Sequence, residues 1–300
     1  MSALDPRAAA LRDRLRWCLI AAAATPCDPH GRVDVDVVER YLRSLVVDGA
    51  DALAVLAHTG RGPYHSPEIR DRVVRRAVGI GVPVIVGVGG TPGETTAQVA
   101  ESAARAAAAG AAGLLVFPPE PGIDPVSHHD TIWRAAGVPL VGFDLYTRPY
   151  SADARDAVLA HPGVAGIKLA RLYDAMACQE GIAAARAADR LAITGEDRMF
   201  GASLMWGARA ALVGIAAAAV PVTATVLRAY REQRYADFVP ASARLDALAA
   251  TTFTEPMEGY VQRMLWIAAA EGRIPPKYAV DPYRPALPDD ERDRVLEVLG

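Results

Sequence analysis

Short apolar runs alternate with longer segments rich in alanine, arginine and acidic residues up to about residue 215. The apolar runs have the length of strands, and they lack the alternation of polar and apolar residues that marks a half-exposed strand. Strands that are apolar on both faces are typical of parallel sheets covered by helices. Eight such runs occur, at residues 17–24, 52–57, 82–88, 112–117, 138–143, 163–169, 190–194 and 210–215.

The segments between these runs carry helical periodicity and signals for helix ends. Ser66 and Pro67 form a helix start, Ser151 precedes a turn rich in Asp and Arg, and Gly110 marks a helix end. Helices are therefore predicted near residues 34–48, 67–79, 94–109, 125–136, 151–160, 172–188, 198–207 and 221–234. Eight such strand–helix units predict an α/β fold of the (β/α)8 TIM-barrel type. The alternative, an open doubly wound sheet, would normally show fewer repeats.

The last part of the chain has a different pattern. Residues 241–272 carry helical periodicity, and a proline-rich tail follows them. We assign residues 1–235 to the barrel with a short N-terminal helical lead, and residues 236–300 to a C-terminal helical extension. No low-complexity linker separates the two.

Charge and cysteine content limit the possible partners and location. The formal net charge is −3, and the sequence shows no basic patch, so we expect neither a nucleic-acid partner nor an anionic membrane surface. The cysteines Cys18, Cys27 and Cys178 lack metal-ligand spacing, and their odd number fits a reducing compartment. The charged N-terminal segment lacks an apolar signal core, and the apolar run at 210–227 is interrupted by glycine and proline. These features predict a cytoplasmic protein.

Lysine is rare in this chain, and one lysine lies within a predicted strand. Of 32 Lys and Arg residues, only Lys168 and Lys277 are lysines. Strand periodicity would place Val164, Gly166 and Lys168 on one face, with the small Gly166 leaving room for a ligand below the amine. Arginine does not lose its proton, whereas a desolvated lysine can do so and become a nucleophile. The choice of lysine therefore favours a reactive amine over the alternatives, a snorkelling or ion-paired side chain.

Several motifs, in order, resemble the dihydrodipicolinate synthase/N-acetylneuraminate lyase family over roughly residues 15–235. They are "TPCDPHGRVD", "DGADALAVLAHTG", "VPVIVGVGG", "AAAAGAAGLLVFPP", "GIK" and "ITGED". The resemblance implies a (β/α)8 barrel with a C-terminal helical extension and a homotetramer or homodimer. It also implies an imine between Lys168 and a 2-oxo acid such as pyruvate. We expect no cofactor, and no metal because no ligand cluster is visible in the sequence.

The resemblance assigns residues around the second predicted strand and at the seventh strand end. Thr59 corresponds to the threonine that binds the oxo-acid carboxylate, and Gly60 follows it. His58 stands where the family has the first threonine of its proton relay, and an imidazole can move protons near neutral pH. Gly195, in the "ITGED" motif, is assigned to substrate binding.

The fifth predicted strand departs from the family pattern. Phe143 occupies the position of the family's proton-shuttling tyrosine, and Tyr146 lies three residues further along. His58 and Tyr146 are therefore the two candidates for proton transfer, and Phe143 is assigned to the substrate pocket. Arg148 is in register with the family arginine that clamps a carboxylate.

The combined hypothesis is a class I lyase or aldolase that acts on a 2-oxo acid and does not synthesise dihydrodipicolinate. One alternative is a non-catalytic protein that binds or senses a 2-oxo acid on the same scaffold. Another is a metal-dependent class II aldolase, but no set of inward His and carboxylate ligands can be assembled. The adjacent His128 and His129 would point apart on a helix, and the glycine-rich 87–94 segment lacks phosphate-loop spacing.

Overall fold

Eight parallel strands form a closed barrel in the computed structural model, which describes residues 4–299. Each strand pairs with the next one along the chain, and β8 closes the barrel against β1. The predicted (β/α)8 barrel with a C-terminal helical extension is confirmed. The strands are β1 Leu19–Ala22, β2 Ala52–Val55, β3 Val84–Val88, β4 Gly113–Val116, β5 Leu140–Leu145, β6 Val164–Ala170, β7 Leu191–Thr194 and β8 Ala210–Val213.

Helices alternate with these strands, and the polar residues at their starts cap them. The Ser66 hydroxyl accepts a hydrogen bond from the Ile69 amide, and the Ser151 hydroxyl accepts one from Ala154, as expected for N-cap serines. The helices up to the end of the barrel are α1 Pro6–Leu15, α2 Val35–Val47, α3 Pro67–Val78, α4 Thr96–Ala108, α5 Pro125–Ala136, α6 Ala152–Ala160, α7 Ala175–Ala187, α8 Phe200–Trp206 and α9 Val220–Arg231.

Two apolar layers make up the core. The outer layer fills the space between the strands and the surrounding helices, and the inner layer fills the barrel. Ala8, Leu11 and Leu15 of α1 belong to the inner layer. The N-terminal helix therefore closes the barrel end that lies opposite the carboxyl ends of the strands.

The predicted faces of β6 are wrong at its start. The pairing of β5 with β6 shifts by one residue after Leu140. Leu140 lies opposite Val164, but the next residue, Val141, lies opposite Gly166, so β6 has one extra residue at this point. The extra residue reverses the alternation, so Val164 packs in the outer layer while Lys168 faces the barrel interior. A Cβ atom on Gly166 would lie 2.5 Å from the Leu191 carbonyl oxygen. Gly166 therefore permits close contact between strands and does not make room for a ligand.

The C-terminal extension contains three helices, α10 Tyr235–Thr252, α11 Tyr260–Ala270 and α12 Glu291–Glu297. The helical pattern predicted at 241–272 is interrupted between α10 and α11, and α12 lies in the tail that was predicted only as proline-rich. Arg263, fully buried on α11, donates to Glu291 at 2.6 Å and to the carbonyl oxygen of Thr254 at 2.8 Å. These bonds fix the 253–259 segment against α11 and join α11 to α12. No helix within residues 4–299 is long and apolar enough to cross a bilayer.

Candidate active site

Most of the predicted site residues line two adjoining cavities at the carboxyl ends of the strands. The inner cavity has a volume of about 20 Å3 and the outer one about 330 Å3, and His58 and Leu145 line both. Arg148 lines the outer cavity. The predicted residues that line the inner cavity are Lys168, His58, Thr59, Phe143, Tyr146 and Gly195.

Gly60 is the predicted residue that lines neither cavity. Its carbonyl oxygen accepts a hydrogen bond of 2.8 Å from the Thr25 hydroxyl. Gly60 therefore joins the loop after β2 to the loop after β1, and its assignment to the substrate pocket is not supported by its position.

Lys168 lies inside the barrel mouth with only 4% of its surface exposed. It pairs with Phe143 of the neighbouring strand, and its Nζ atom lies 4.3 Å from the centre of the Phe143 ring. Burial lowers the pKa of Lys168 below the ordinary lysine value, while the nearby carboxyl groups of Asp197 and Glu196 oppose this shift. The net lowering favours the neutral amine, which is the nucleophilic form.

Two buried acidic residues beside Lys168 were not predicted as site residues. Asp197 accepts a hydrogen bond of 2.7 Å from the Ile215 amide, and burial raises the pKa of its carboxyl group. Glu196 accepts from the amide of Leu172 at 3.1 Å, and burial raises the pKa of Glu196 to about 7. Both residues belong to "ITGED", directly after β7. The rule that reacting groups follow barrel strands could therefore have identified them.

Gly195 gives the lysine side chain its space. A Cβ atom at this position would lie 2.6 Å from Cε of Lys168 and 2.8 Å from the Leu169 carbonyl oxygen. Any side chain here would displace the lysine or separate β6 from the loop after β7. The position of Gly195 thus explains its presence in the site without a direct contact to a ligand.

A tyrosine from the C-terminal extension enters the inner cavity. The Tyr260 hydroxyl lies 3.1 Å from Nδ1 of His58 and 3.1 Å from the hydroxyl of Thr59. Its ring stacks on Phe253, with the ring centres 4.9 Å apart. Burial raises the pKa of Tyr260, so its hydroxyl remains protonated near neutral pH. No motif in the sequence indicated that this residue would reach the barrel mouth.

Glu258, from the same extension, contacts both His58 and Tyr146, the two residues predicted as candidates for proton transfer. It lies 3.3 Å from Nε2 of His58, accepts a hydrogen bond from the Tyr146 hydroxyl, and accepts one of 2.6 Å from Arg61. Burial alone would raise the pKa of Glu258, but the hydrogen bonds from His58, Tyr146 and Arg61 lower it well below its ordinary value. Glu258 is therefore ionised at neutral pH. Burial, together with the charge of Glu258, raises the pKa of Tyr146.

Arg148 lies at the rim, in the wall of the outer cavity. Its guanidinium donates to Glu120 at 2.9 Å and to the carbonyl oxygen of Pro118 at 3.0 Å. The stacked rings of Tyr64 and Tyr283, with centres 4.6 Å apart, form another part of this cavity wall. Arg148 thus lines the outer cavity and does not reach the inner cavity around Lys168.

The described residues offer no cluster for a metal ion. Within residues 4–299, no three His, Cys, Asp or Glu side chains are grouped as potential ligands. His128 and His129 are both buried and use Nδ1 on separate partners, the Thr96 hydroxyl and the Pro125 carbonyl oxygen.

Comparison with known proteins gives consistent results. The 4-hydroxy-tetrahydrodipicolinate synthase of Kineococcus radiotolerans is 31% identical over 163 residues, which are 51% of this chain and 52% of that protein. The corresponding enzyme of Prochlorococcus marinus (strain MIT 9303) is 38% identical over 140 residues, or 44% of each chain. The chain thus matches about half of the length of these relatives.

Two solved structures have the same fold along nearly the whole chain. A monomeric dihydrodipicolinate synthase variant superposes with a TM-score of 0.83 at 21% identity, covering 99% of this chain and 98% of that one. The sialic acid aldolase of Ruminococcus gnavus, solved as a catalytic lysine mutant, gives 0.82 at 17% identity and covers 95% of each chain. The sequence profile described as the Dihydrodipicolinate synthetase family matches residues 17–299. The chain belongs to this family, as its motifs predicted.

Proposed function

We propose that this protein is a class I lyase or aldolase that forms a lysine imine with a 2-oxo acid. The proposal depends on one observation: the Lys168 amine is buried on the inner face of β6, and its pKa is lowered. A solved relative from Ruminococcus gnavus is described as having a catalytic lysine, which supports the same role for Lys168 here.

The imine would act as an electron sink. A cationic nitrogen bonded to the former carbonyl carbon stabilises the carbanion that remains when a neighbouring carbon–carbon or carbon–oxygen bond breaks. Phe143 and the apolar strands around Lys168 keep water away from this nitrogen. Thr59, buried beside His58, is proposed to hold the substrate carboxylate, and His58 is proposed to move protons.

The far end of the substrate would occupy the outer cavity. Its volume of about 330 Å3 accommodates a pyruvate-derived hydroxy-oxo acid that extends away from Lys168. Arg148 is proposed to recognise a polar or anionic group there, which requires it to exchange or share its bond to Glu120. Tyr146 is held by Glu258 and is proposed to act on the ligand from the boundary between the two cavities.

Dihydrodipicolinate synthesis itself is not the reaction we propose. Phe143 has no proton to transfer at the position where the family pattern has a tyrosine, and His58 replaces the first threonine. These departures also support a second candidate, a 2-oxo-acid binding or sensing protein without turnover. The two candidates differ in one observable property, because only the enzyme must form and resolve an imine.

The test is covalent capture of pyruvate by borohydride, which reduces an imine to a stable amine. We expect wild-type protein to gain the mass of one reduced pyruvate and Lys168→Arg to gain none, because arginine keeps the cation but offers no free amine. Lys277→Arg, at the only other lysine of the chain, is the matched control and should be labelled like the wild type. Capture that persists in Lys168→Arg would show that another amine is the nucleophile. Capture without turnover of any hydroxy-oxo acid would favour the binding protein.

Assembly and location are part of the same proposal. We propose a homotetramer or homodimer by analogy with the family, and sedimentation velocity at several protein concentrations measures this directly. Cys18, Cys27 and Cys178 are all free thiols, which supports a reducing compartment such as the cytoplasm.

A further inference from the structure

The hydroxyl group of Tyr260 lies in the wall of the inner cavity, although Tyr260 belongs to the C-terminal extension and not to the barrel. Tyr260, 5% exposed at the first position of α11, lines this cavity together with Lys168. Its two hydrogen-bond partners, His58 and Thr59, are the two residues at the end of β2 that were assigned to proton transfer and carboxylate binding. Tyr260 therefore contacts both residues that are proposed to bind the substrate carboxylate and to move protons.

Imine formation at Lys168 needs a proton donor and acceptor beside the reacting carbon. Phe143 is the aromatic ring nearest to the amine on β5, and it has no exchangeable proton. Tyr146 also lines the cavity, but its hydroxyl donates to the Glu258 carboxylate. The Tyr260 hydroxyl is instead bonded to groups that can both give and accept a proton.

We propose that Tyr260 is the catalytic proton-transfer residue of this site, supplied by the C-terminal extension in place of the missing tyrosine on β5. The inference rests on the proposed function, because it assigns a role within imine chemistry at Lys168. It concerns a residue outside the strands and loops of the barrel.

The proton transfers follow from this placement. When the Lys168 nitrogen adds to the carbonyl carbon, Tyr260 gives a proton to the resulting alkoxide and takes one from the cationic nitrogen, which leaves a neutral carbinolamine. Tyr260 then gives a proton to the carbinolamine hydroxyl, which departs as water with the carbon–oxygen electron pair. The nitrogen lone pair forms the carbon–nitrogen double bond, and the phenolate recovers its proton from Nδ1 of His58. One proton is consumed and one water is released for each iminium ion formed.

Glu258 acts as a positioning residue for this transfer. Its carboxylate lies beside Nε2 of His58, on the side of the ring opposite the Tyr260 contact. Because a carboxylate only accepts, Nε2 carries a hydrogen and Nδ1 is the atom that exchanges a proton with Tyr260. The bonds from Arg61 and Tyr146 hold Glu258 in place.

The test compares the rate of pyruvate capture by borohydride in wild type, Tyr260→Phe and Tyr41→Phe. Tyr260→Phe keeps the ring that stacks on Phe253 and should slow capture roughly 10²–10⁴-fold, with the half-saturating pyruvate concentration changed only a few-fold. Tyr41→Phe removes another fully buried hydroxyl, one that bonds the Ala217 carbonyl oxygen in the outer layer. It should leave the capture rate unchanged, whatever it does to thermal stability.

Two further variants separate a catalytic role from a structural one. Adding Phe143→Tyr to Tyr260→Phe places a hydroxyl on the ring beside Lys168 and should restore at least ten-fold of the lost rate. A fluorinated tyrosine at position 260 keeps the fold and the hydrogen bonds but makes the phenol more acidic. It should change the plateau capture rate above the Lys168 limb, because the acidity of the phenol enters the proton-transfer step, and it applies even if Tyr260→Phe does not fold.

Wild-type capture rates in Tyr260→Phe, or an unchanged plateau rate in the fluorinated protein, would overturn the role of Tyr260 and leave the imine at Lys168 intact. If the wild type captures no pyruvate or other 2-oxo acid, the proposed function and this inference fall together. Slow capture in Tyr260→Phe, together with rescue by Phe143→Tyr, would establish Tyr260 as the proton-transfer residue.

Discussion

The amine of Lys168 lies beside the face of Phe143 and within electrostatic reach of two buried carboxyl groups. Desolvation favours the neutral amine, whereas the negative charges of Asp197 and Glu196 favour the ammonium ion. Desolvation prevails, so the pKa of Lys168 is lowered. The strand supplies the candidate nucleophile, and its surroundings shift its pKa.

Covalent capture should therefore depend on pH in a characteristic way. Only the neutral amine attacks a carbonyl, so the capture rate should rise with pH and level off well below the ordinary lysine pKa of ~10.4. Asp197→Asn keeps an acceptor for the Ile215 amide but removes a charge that raises the pKa of Lys168. We expect the limb to shift to still lower pH, as measured by initial capture rates between pH 5 and pH 10.

Glu101→Gln is the control for this prediction, because Glu101 is an exposed carboxylate on α4, away from the site. Its profile should coincide with that of the wild type. A limb that does not move in Asp197→Asn would contradict an attraction between Lys168 and an ionised Asp197 carboxylate.

At the scale of elements, the segment between α10 and α11 has the largest consequence for the site. It presents Glu258 to the barrel mouth and sets the start of α11, which presents Tyr260, although neither residue belongs to a strand-end loop. Arg61 holds it there, because its guanidinium bonds Asp281 at 2.8 Å and Glu258 at 2.6 Å. Arg61 also has a left-handed backbone conformation, with φ of 51°, a cost that the surrounding ion pairs must offset.

Removal of the Arg61 guanidinium should loosen the extension. Arg61→Met leaves Asp281, which is 2% exposed, as an unpaired buried carboxylate, and we expect a loss of about 3–5 kcal/mol in the free energy of unfolding. Urea unfolding monitored by circular dichroism measures this loss. Arg43→Met, which removes an exposed pair with Glu39 on α2, should cost less than about 1 kcal/mol.

Equal and small losses in these two variants would contradict the view that Arg61 ties the extension to the barrel. A loss confined to Arg61→Met, together with slower pyruvate capture, would connect the stability of this contact to the geometry around His58.

At the scale of the whole molecule, the two ends of the barrel are closed differently. At one end α1 contributes apolar side chains to the barrel interior, and this end contains no candidate site residue. At the other end, the inner and outer cavities remain open between the barrel and the extension, and the extension adds polar groups to their walls. The candidate site therefore requires both parts, because barrel and extension each supply residues to the cavity walls.

Chelation provides a test at this scale. The proposed reaction uses the imine nitrogen as its electron sink, so turnover should be unchanged after exhaustive dialysis against EDTA. Turnover of a hydroxy-oxo acid, measured by release of pyruvate, is the readout. Loss of turnover that returns on addition of a divalent metal would contradict the class I mechanism and favour a metal-dependent aldolase.

The sequence by itself determined the strand–helix alternation, and thereby the barrel. Apolar runs of strand length separated by capped helices are local patterns, and the order of elements leaves few topologies open. The identity of Lys168 as the candidate nucleophile was also a local matter, because a lysine near the end of an apolar barrel strand is conspicuous in a chain whose other cations are almost all arginines.

Only the tertiary structure decided how the site is completed. The shifted register of β6 depends on pairing with β5, so the outward position of Val164 could not be read from a period of two residues. The contact of Tyr260 with His58 joins positions 202 residues apart in the chain. It results from the way Arg61 and Arg263 fix the extension. Local periodicity carries no information about such distant contacts, which depend on the packing of the whole chain.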